Sequence, residues 1–276
     1  MLKRLREDQV RGYHENGFST AVPVLTADEV ARFRAGLEAY EADVGHPLAF
    51  PQKSKPYLLF DWADEIVHHP NVLDAVEDII GPNILIYHTT TWIKEPGQPA
   101  YVLWHQDATY FFLEPYEHIT AWVALSDSTE ESGCVRVLPR SHNLGQLPHI
   151  DAPDEFNMIK RGQGVEGYED EEGELLPVMA GELSLHHTHL LHRSGGNNTN
   201  DRRIGVGVSY IPTHVRPIGR VKPSALLVRG VDEYGHFEPE ARLKGHLTPE
   251  AIAAHDHANQ LFRSLQDEGW SAASAS

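Results

Sequence analysis

Val30, Phe33, Leu37 and Tyr40 recur at intervals of three and four, so the stretch VLTADEVARFRAGLEAYEADVG carries its apolar side chains along one face. Thr26 opens that stretch and Glu29 stands three positions on, the pairing of a capping box, and an amphipathic helix is predicted from there. A second stripe, Val72, Val76, Ile79 and Ile80, lies in PNVLDAVEDIIG, with Pro70 at the opening and Gly81 at the stop. Beyond Gly81 the character changes. ILIYHTTTWIKEPG, ITAWVALSDS and GCVRVLP are rich in β-branched and aromatic residues and punctuated by Gly, Pro and Ser, as strands are. The acidic run GYEDEEGE, residues 167–174, reads as a solvated loop. Strands resume in VMAGELSLHHTHLLH and RRIGVGVSYIP. A last helix starts at Thr248, with Pro249 at its first position, and runs through IAAHDHANQLFRSL; SAASAS, residues 271–276, reads as a disordered tail. No repeat and no linker divides the chain, so residues 1–276 are expected to form a single domain. Strands grouped between helical ends argue for an α+β fold with one mainly β core, and periodicity alone leaves barrel and jelly-roll architectures open.

Composition narrows the function. With 276 residues, 41% of them hydrophobic, the chain can bury a sizeable core. Its 40 acidic against 23 basic residues give a formal charge of -17, which repels nucleic-acid phosphates and anionic lipid surfaces. Neither partner is expected, and oligomeric state is left open. One cysteine, Cys134, makes no internal disulfide, and the first residues, MLKRLREDQVRGYHENG, lack the apolar core of a secretory signal, so a cytoplasmic location is expected.

Candidate chemistry begins in VLWHQDATYFF. If this run is a strand, His105 and Asp107 share a face and set an imidazole beside a carboxylate. Alone, a His-x-Asp is most simply a satisfied pair; a third ligand changes its meaning. Histidines are numerous, 18 in all, and densest in SLHHTHLLHRSGGNNTNDRR. No HExxH zinc motif is present there, because the Glu is missing. On a strand, His187 and His189 share a face, His186 lies opposite, and His192 falls near the strand end. Two histidines and one carboxylate make the facial triad of non-haem Fe(II) oxygenases, which leaves open positions for co-substrate and dioxygen. A 2-oxo acid bound there also needs a cation for its far carboxylate, and Arg202 and Arg203 follow the histidines closely.

Several segments together resemble the phytanoyl-CoA dioxygenase-like Fe(II)/2-oxoglutarate oxygenases. GYHENGFSTAVPVLTADEVARFRAGL is similar to that family's first segment, WHQD to its His-x-Asp, and TAWVALSDSTEESGCVRVLPRSH to its central strands. LLHRSGGNNTNDRR resembles its distal pattern of histidine, serine two later, asparagine, then arginine. The resemblance implies a double-stranded β-helix (jelly-roll) core with flanking helices. It implies a metal centre of His105, Asp107 and His192, which are also the catalytic residues. Ser194 and Arg203 are then partners of the far 2-oxoglutarate carboxylate, and Gln106 and Trp122 neighbours of the co-substrate. Arg203 is preferred to Arg202 because 203 − 192 = 11 is the family-like offset. Fe(II), 2-oxoglutarate and dioxygen are the implied cofactor and co-substrates, with ascorbate as a supporting reductant.

The implied reaction is oxidative decarboxylation of 2-oxoglutarate to succinate and carbon dioxide, coupled to hydroxylation of an aliphatic C–H bond. The expected substrate is a small bacterial metabolite or biosynthetic intermediate. The alternatives are an aminophosphonate-type hydroxylase and a non-catalytic metal- or small-molecule-binding barrel. Related halogenases replace the carboxylate ligand by a small residue, and this chain keeps Asp107, which favours hydroxylation. Arg140 stands in PRSH where the family usually has glycine, which reads as a different turn. Tyr101, Trp104, Tyr110, Phe111 and Phe112 are candidate pocket residues, and Lys94, Arg136, Arg140 and Arg216 candidate anion holders.

Overall fold

The computed structural model describes residues 2–161 and 164–273. Its first third is mostly helical: α1 (Glu7–Asn16), β1 (Phe18–Pro23), α2 (Ala27–Val44), α3 (Asp61–Val67) and α4 (Pro70–Ile80). The capping box at the start of α2 is formed, with Glu29 N–H donating to Thr26 Oγ1 at 3.3 Å and Thr26 N–H donating to Glu29 Oε2 at 2.8 Å. Val30, Phe33 and Leu37 are buried beneath that helix. α4 has Pro70 in its first turn and ends at Gly81, whose φ of 85° costs glycine nothing. α1 has no apolar stripe to announce it; within EDQVRGYHEN only Gln9 and Tyr13 are buried.

The remaining chain supplies β2 (Ile84–Lys94), β3 (Val102–His105), the short α5 (Ala108–Phe111), β4 (Leu113–Glu114), β5 (Ile119–Ala124) and β6 (Val135–Val137). After the acidic, largely exposed loop come β7 (Glu174–Leu176), β8 (Glu182–His187), β9 (His192–Ser194), β10 (Arg203–Pro212), β11 (Arg216–Pro217), β12 (Ser224–Arg229), β13 (Glu238–Pro239) and α6 (Pro249–Ala273). α6 is longer than its sequence suggested. Residues 271–273 of the expected tail belong to it, and 274–276 lie outside the described residues.

One sheet has seven strands in the order β1-β8-β5-β10-β2-β12-β13, and a second has four in the order β3-β9-β6-β7. Every pairing is antiparallel except β12 with β13. Side-chain alternation gives the large sheet two different faces. Ile204, Val206, Val208 and Tyr210 of β10 share an apolar cluster with Phe33, Leu37, Ile66 and Val72 of the helices. Ile119, Ala121 and Val123 of β5 and Leu183 and Leu185 of β8 join that cluster. Their alternate neighbours, among them Arg203, Trp122 and His186, line a chamber completed by Val102, Val135 and His192 of the small sheet. Two antiparallel sheets closing on a chamber, with helices over one outer face, form a jelly roll within an α+β chain, as expected.

Candidate metal centre

β3 and β9 pair so that His105 and His192 are direct Cα partners. Cross-strand partners on one face are the nearest neighbours a sheet can make, and the two imidazole centroids lie 4.0 Å apart. Each ring is held by its other nitrogen. His105 Nδ1 is 2.9 Å from the Leu103 carbonyl and His192 Nδ1 2.9 Å from the Leu190 carbonyl, a contact that makes Nδ1 the protonated donor. Both Nε2 atoms therefore keep a lone pair, as metal ligation requires.

Asp107 reaches the same point by a different route from the one its spacing suggested. β3 ends at His105, and Asp107 has helical dihedrals, φ −61° and ψ −34°, as it opens α5. The turn, not strand alternation, aims its carboxylate at the histidines. Thr120 of β5 donates to Asp107 Oδ2 at 2.6 Å, which leaves Oδ1 directed at the rings. Oδ1 lies 3.8 Å from His105 Nε2 and 3.7 Å from His192 Nε2, beyond hydrogen-bonding reach. One ligand atom from each of the three residues lies within 4.8 Å of the others, the only such group found among the described residues. Burial alone pushes the Asp107 carboxyl up, but His192, His105, His118 and the Thr120 hydroxyl together hold it ionised below the ordinary value. Burial, and then His192, push His105 down and keep it neutral. An anionic carboxylate and two imidazoles, each with Nδ1 tied to a carbonyl and Nε2 left for a ligand, fit a divalent iron ion.

The same chamber, about 60 Å³, carries buried positive charge at its other end. Arg203 is 3% exposed, donates from Nε to Ser128 Oγ at 3.2 Å, and has its guanidinium carbon 4.4 Å from the centre of the Trp122 ring. No carboxylate pairs with it among the described residues. Lys94, its direct Cα partner across the β2–β10 ladder, is fully buried and also lacks an acid. Its Nζ donates to Ser194 Oγ at 2.7 Å and to the carbonyl of Gly195. Burial, reinforced by Arg203, lowers Lys94 to about 6. A buried guanidinium without a counter-ion, beside an amine that sheds its proton near pH 6, is costly unless an anion joins them. That is the environment the far carboxylate of 2-oxoglutarate needs.

Not every expected residue reaches the chamber. Ser194, Trp122 and Arg203 do. Gln106 lines neither cavity; it lies between the turn's two ligands and points away from them. Its amide is fully used, donating to the carbonyls of Gly145 and His189 at 2.8 and 2.7 Å and accepting from Leu147 N–H at 2.7 Å. His187 ends β8, and His189 sits beyond it in a turn where its N–H donates to His187 Nδ1 at 3.0 Å, so the two do not share a strand face. Arg202 is tied to Glu41 and Glu95 at 2.6 and 2.7 Å. Of the proposed anion holders, Arg136 pairs with Glu130 and Arg216 with Glu114. Arg140 is exposed at φ 68°, the left-handed turn that glycine favours. Lys94 has no acid partner among the described residues, and the β2–β10 register sets it opposite Arg203, a neighbour its sequence context does not reveal.

A second, larger cavity of about 550 Å³ shares Trp92, His105, Asp107 and Met158 with the first. Tyr110 and Phe111 line it, as the sequence suggested, but Tyr101, Trp104 and Phe112 do not. Phe262, Arg263, Gln266 and Trp270 of α6 form its outer wall, a contribution with no local signal in the sequence.

A jelly roll with a His-Asp-His centre and an unpaired arginine in one chamber defines the class of non-haem iron, 2-oxoglutarate-dependent oxygenases. The family model for phytanoyl-CoA dioxygenase (PhyH) matches residues 13–205, and the chain belongs to that family of Fe(II)/2-oxoglutarate-dependent dioxygenases. It is 26% identical to a probable alpha-ketoglutarate-dependent hypophosphite dioxygenase of Stutzerimonas stutzeri, over 84% of each chain. Against the peroxisomal phytanoyl-CoA dioxygenase of Homo sapiens it is 27% identical over 74% of this chain and 67% of that one. Among solved structures, the apo non-heme monooxygenase ThoJ superposes with a TM-score of 0.85 at 32% identity, covering 96% of this chain and 99% of its own. No helix among the described residues is long and apolar enough to cross a membrane.

Proposed function

We propose that this dioxygenase hydroxylates an aliphatic C–H bond of a small organic metabolite, with Fe(II) held by His105, Asp107 and His192. Arg203, with Ser194 oriented by Lys94, takes the far carboxylate of 2-oxoglutarate, and Trp122 carries the Arg203 guanidinium on its face. The observation that supports this reading most is the pairing of a three-ligand centre with a buried, acid-free arginine, Arg203, in one chamber. A barrel that only stores or senses a metal has no use for the second half of that arrangement. Bound iron would supply dioxygen activation coupled to loss of carbon dioxide from 2-oxoglutarate. The chain's own part is to hold both ends of the co-substrate, to keep Asp107 ionised and to exclude water from the substrate cavity.

The cavity of about 550 Å³ speaks for an organic molecule of ring size over a two- or three-atom anion or a small aminophosphonate, which would leave most of it empty. Because Asp107 occupies the position that a halide would need, the product should carry one added oxygen. A cytoplasmic location belongs to the same proposal and is supported by the single cysteine, Cys134, being free and buried. The test is a screen of candidate metabolites with Fe(II), 2-oxoglutarate and air in the presence of chloride, read by product mass. Products heavier by one oxygen support hydroxylation; a chlorinated main product contradicts it.

A further inference from the structure

β2 does not keep a regular alternation. Its pairing with β10 slips between Ser209 and Tyr210, so that His88 opposes Ser209, Ile86 opposes Tyr210, and Tyr87 is the extra residue of a bulge. Ile84 and Ile86 pack under the helices, and an unbroken strand would send His88, Thr90 and Trp92 to that same face. The bulge turns all three to the cavity instead. Bulges re-aim side chains in this way next to functional sites.

His88 is the unusual member of that row. It is 7% exposed and stacked on Phe262 of α6, with ring centroids 4.1 Å apart, yet its buried Nδ1 has no hydrogen-bond partner among the described residues. It is not one of the metal-centre residues. A buried imidazole without a partner costs free energy, and a polar group of a cavity occupant removes that cost. Burial pushes its pKa well down, so it offers one donor and one acceptor.

α6 measures the distance from this imidazole to the rim. From Phe262, against His88, to Trp270 is eight residues, or roughly 12 Å of helix. At the Trp270 end the walls are cationic. The Arg161 guanidinium lies 5.2 Å from the Trp270 ring centre and 3.2 Å from Asp267. Lys160 donates only to the Glu155 carbonyl, and Arg263 pairs with no acid among the described residues. Lys53, behind them over the Phe50 ring, is likewise without an acid among the described residues. In a chain of charge -17 this is a local reversal of sign. Phe262, Arg263 and Trp270 also lie beyond residue 205, where the family match ends.

We infer that the cavity takes an organic anion about two fused rings long, its charged group held at the rim by Lys160, Arg161 and Arg263 and its inner polar group hydrogen-bonded by His88. This rests on the proposed function, since it places that inner end beside the metal centre. Anaerobic titrations of the Fe(II)- and 2-oxoglutarate-loaded protein with 6-hydroxy-2-naphthoate, 2-naphthoate and 6-hydroxy-2-naphthamide, followed by ligand fluorescence, test both contacts. The hydroxy acid should bind about tenfold more tightly than either compound lacking one group, the scale of a single well-made polar contact. In His88→Phe the advantage of the hydroxyl should vanish and that of the carboxylate persist, with His88→Gln keeping part of the former. In Lys160→Gln/Arg263→Gln, both exposed and safe to change, the carboxylate's advantage should fall several-fold, with Arg161 still in place, and the hydroxyl's persist. Equal affinities of the three probes for the wild type, failure of the hydroxy acid to bind, or advantages that survive their matching variants would overturn the inference. Iron content of the same wild-type samples reports separately on the reading beneath it.

Discussion

Arg202 and Arg203 are adjacent in the chain and opposite in circumstance. Arg202 is neutralised by Glu41 and Glu95 near the surface, whereas Arg203 is buried, acid-free and faces the chamber. Arg203→Ala should therefore raise the 2-oxoglutarate KM steeply, since losing one partner of a desolvated charge pair costs ~2–5 kcal/mol. Arg202→Ala should leave that KM near wild type, and equal effects in steady-state kinetics would sink the assignment. Lys94 gives a prediction in pH. Its folded value of about 6 lies far below its ordinary 10.5, so between those values the unfolded chain binds a proton that the folded chain does not. Stability must then gain with rising pH across that window. Denaturant titrations of wild type and Lys94→Met in the absence of co-substrate should show the wild type gaining on the variant from about pH 6 upward, whereas parallel curves would place Lys94 elsewhere. The metal ligands and Arg203 were legible because each belongs to a compact motif. Lys94 and His88 were not, because their roles depend on what stands across a ladder or after a bulge.

At the scale of elements, pairing register decides the site. β3 and β9 are each too short to be conspicuous, yet their pairing sets His105 opposite His192. The sequence marked the histidines but misjudged the path to Asp107, since a strand end and a helical turn can present the same His-x-Asp. β10 was plain from RRIGVGVSYIP, and its two glycines now have a reason. A Cβ on Gly205 would come within 1.8 Å of the Trp122 ring, and one on Gly207 within 3.2 Å of Trp92. Gly205→Ala should displace the indole that carries Arg203, costing ~1–3 kcal/mol of stability as overpacking does. It should raise the 2-oxoglutarate KM while iron binding is kept. Gly207→Ala should be milder in both respects; the reverse ranking, read by thermal melts and co-substrate titration, would contradict this packing. α1 and the full length of α6 escaped the sequence because a helix needs a continuous apolar stripe to be read, and α6 spends part of its apolar face on a cavity.

For the molecule as a whole, the excess of acid is spread over the exterior while the few buried cations collect where anions are expected. Arg203 marks one end of the inner chamber, with Lys94 behind Ser194, and the exception, buried Lys55, is matched by Glu240 at 2.5 Å. The fold class followed from strands bracketed by helices; the jelly roll itself came from the resemblance, because alternation fixes which residues face inward but not which strands are neighbours. His105, Asp107 and His192 are proposed to hold an iron that turns over 2-oxoglutarate. The most direct test is succinate formation from 2-oxoglutarate under air by Fe(II)-loaded protein, with His192→Ala in parallel. Catalytic succinate is expected from the wild type, at one iron per chain, and next to none from the variant. No succinate from the iron-loaded wild type, or undiminished succinate from His192→Ala, would contradict that proposal.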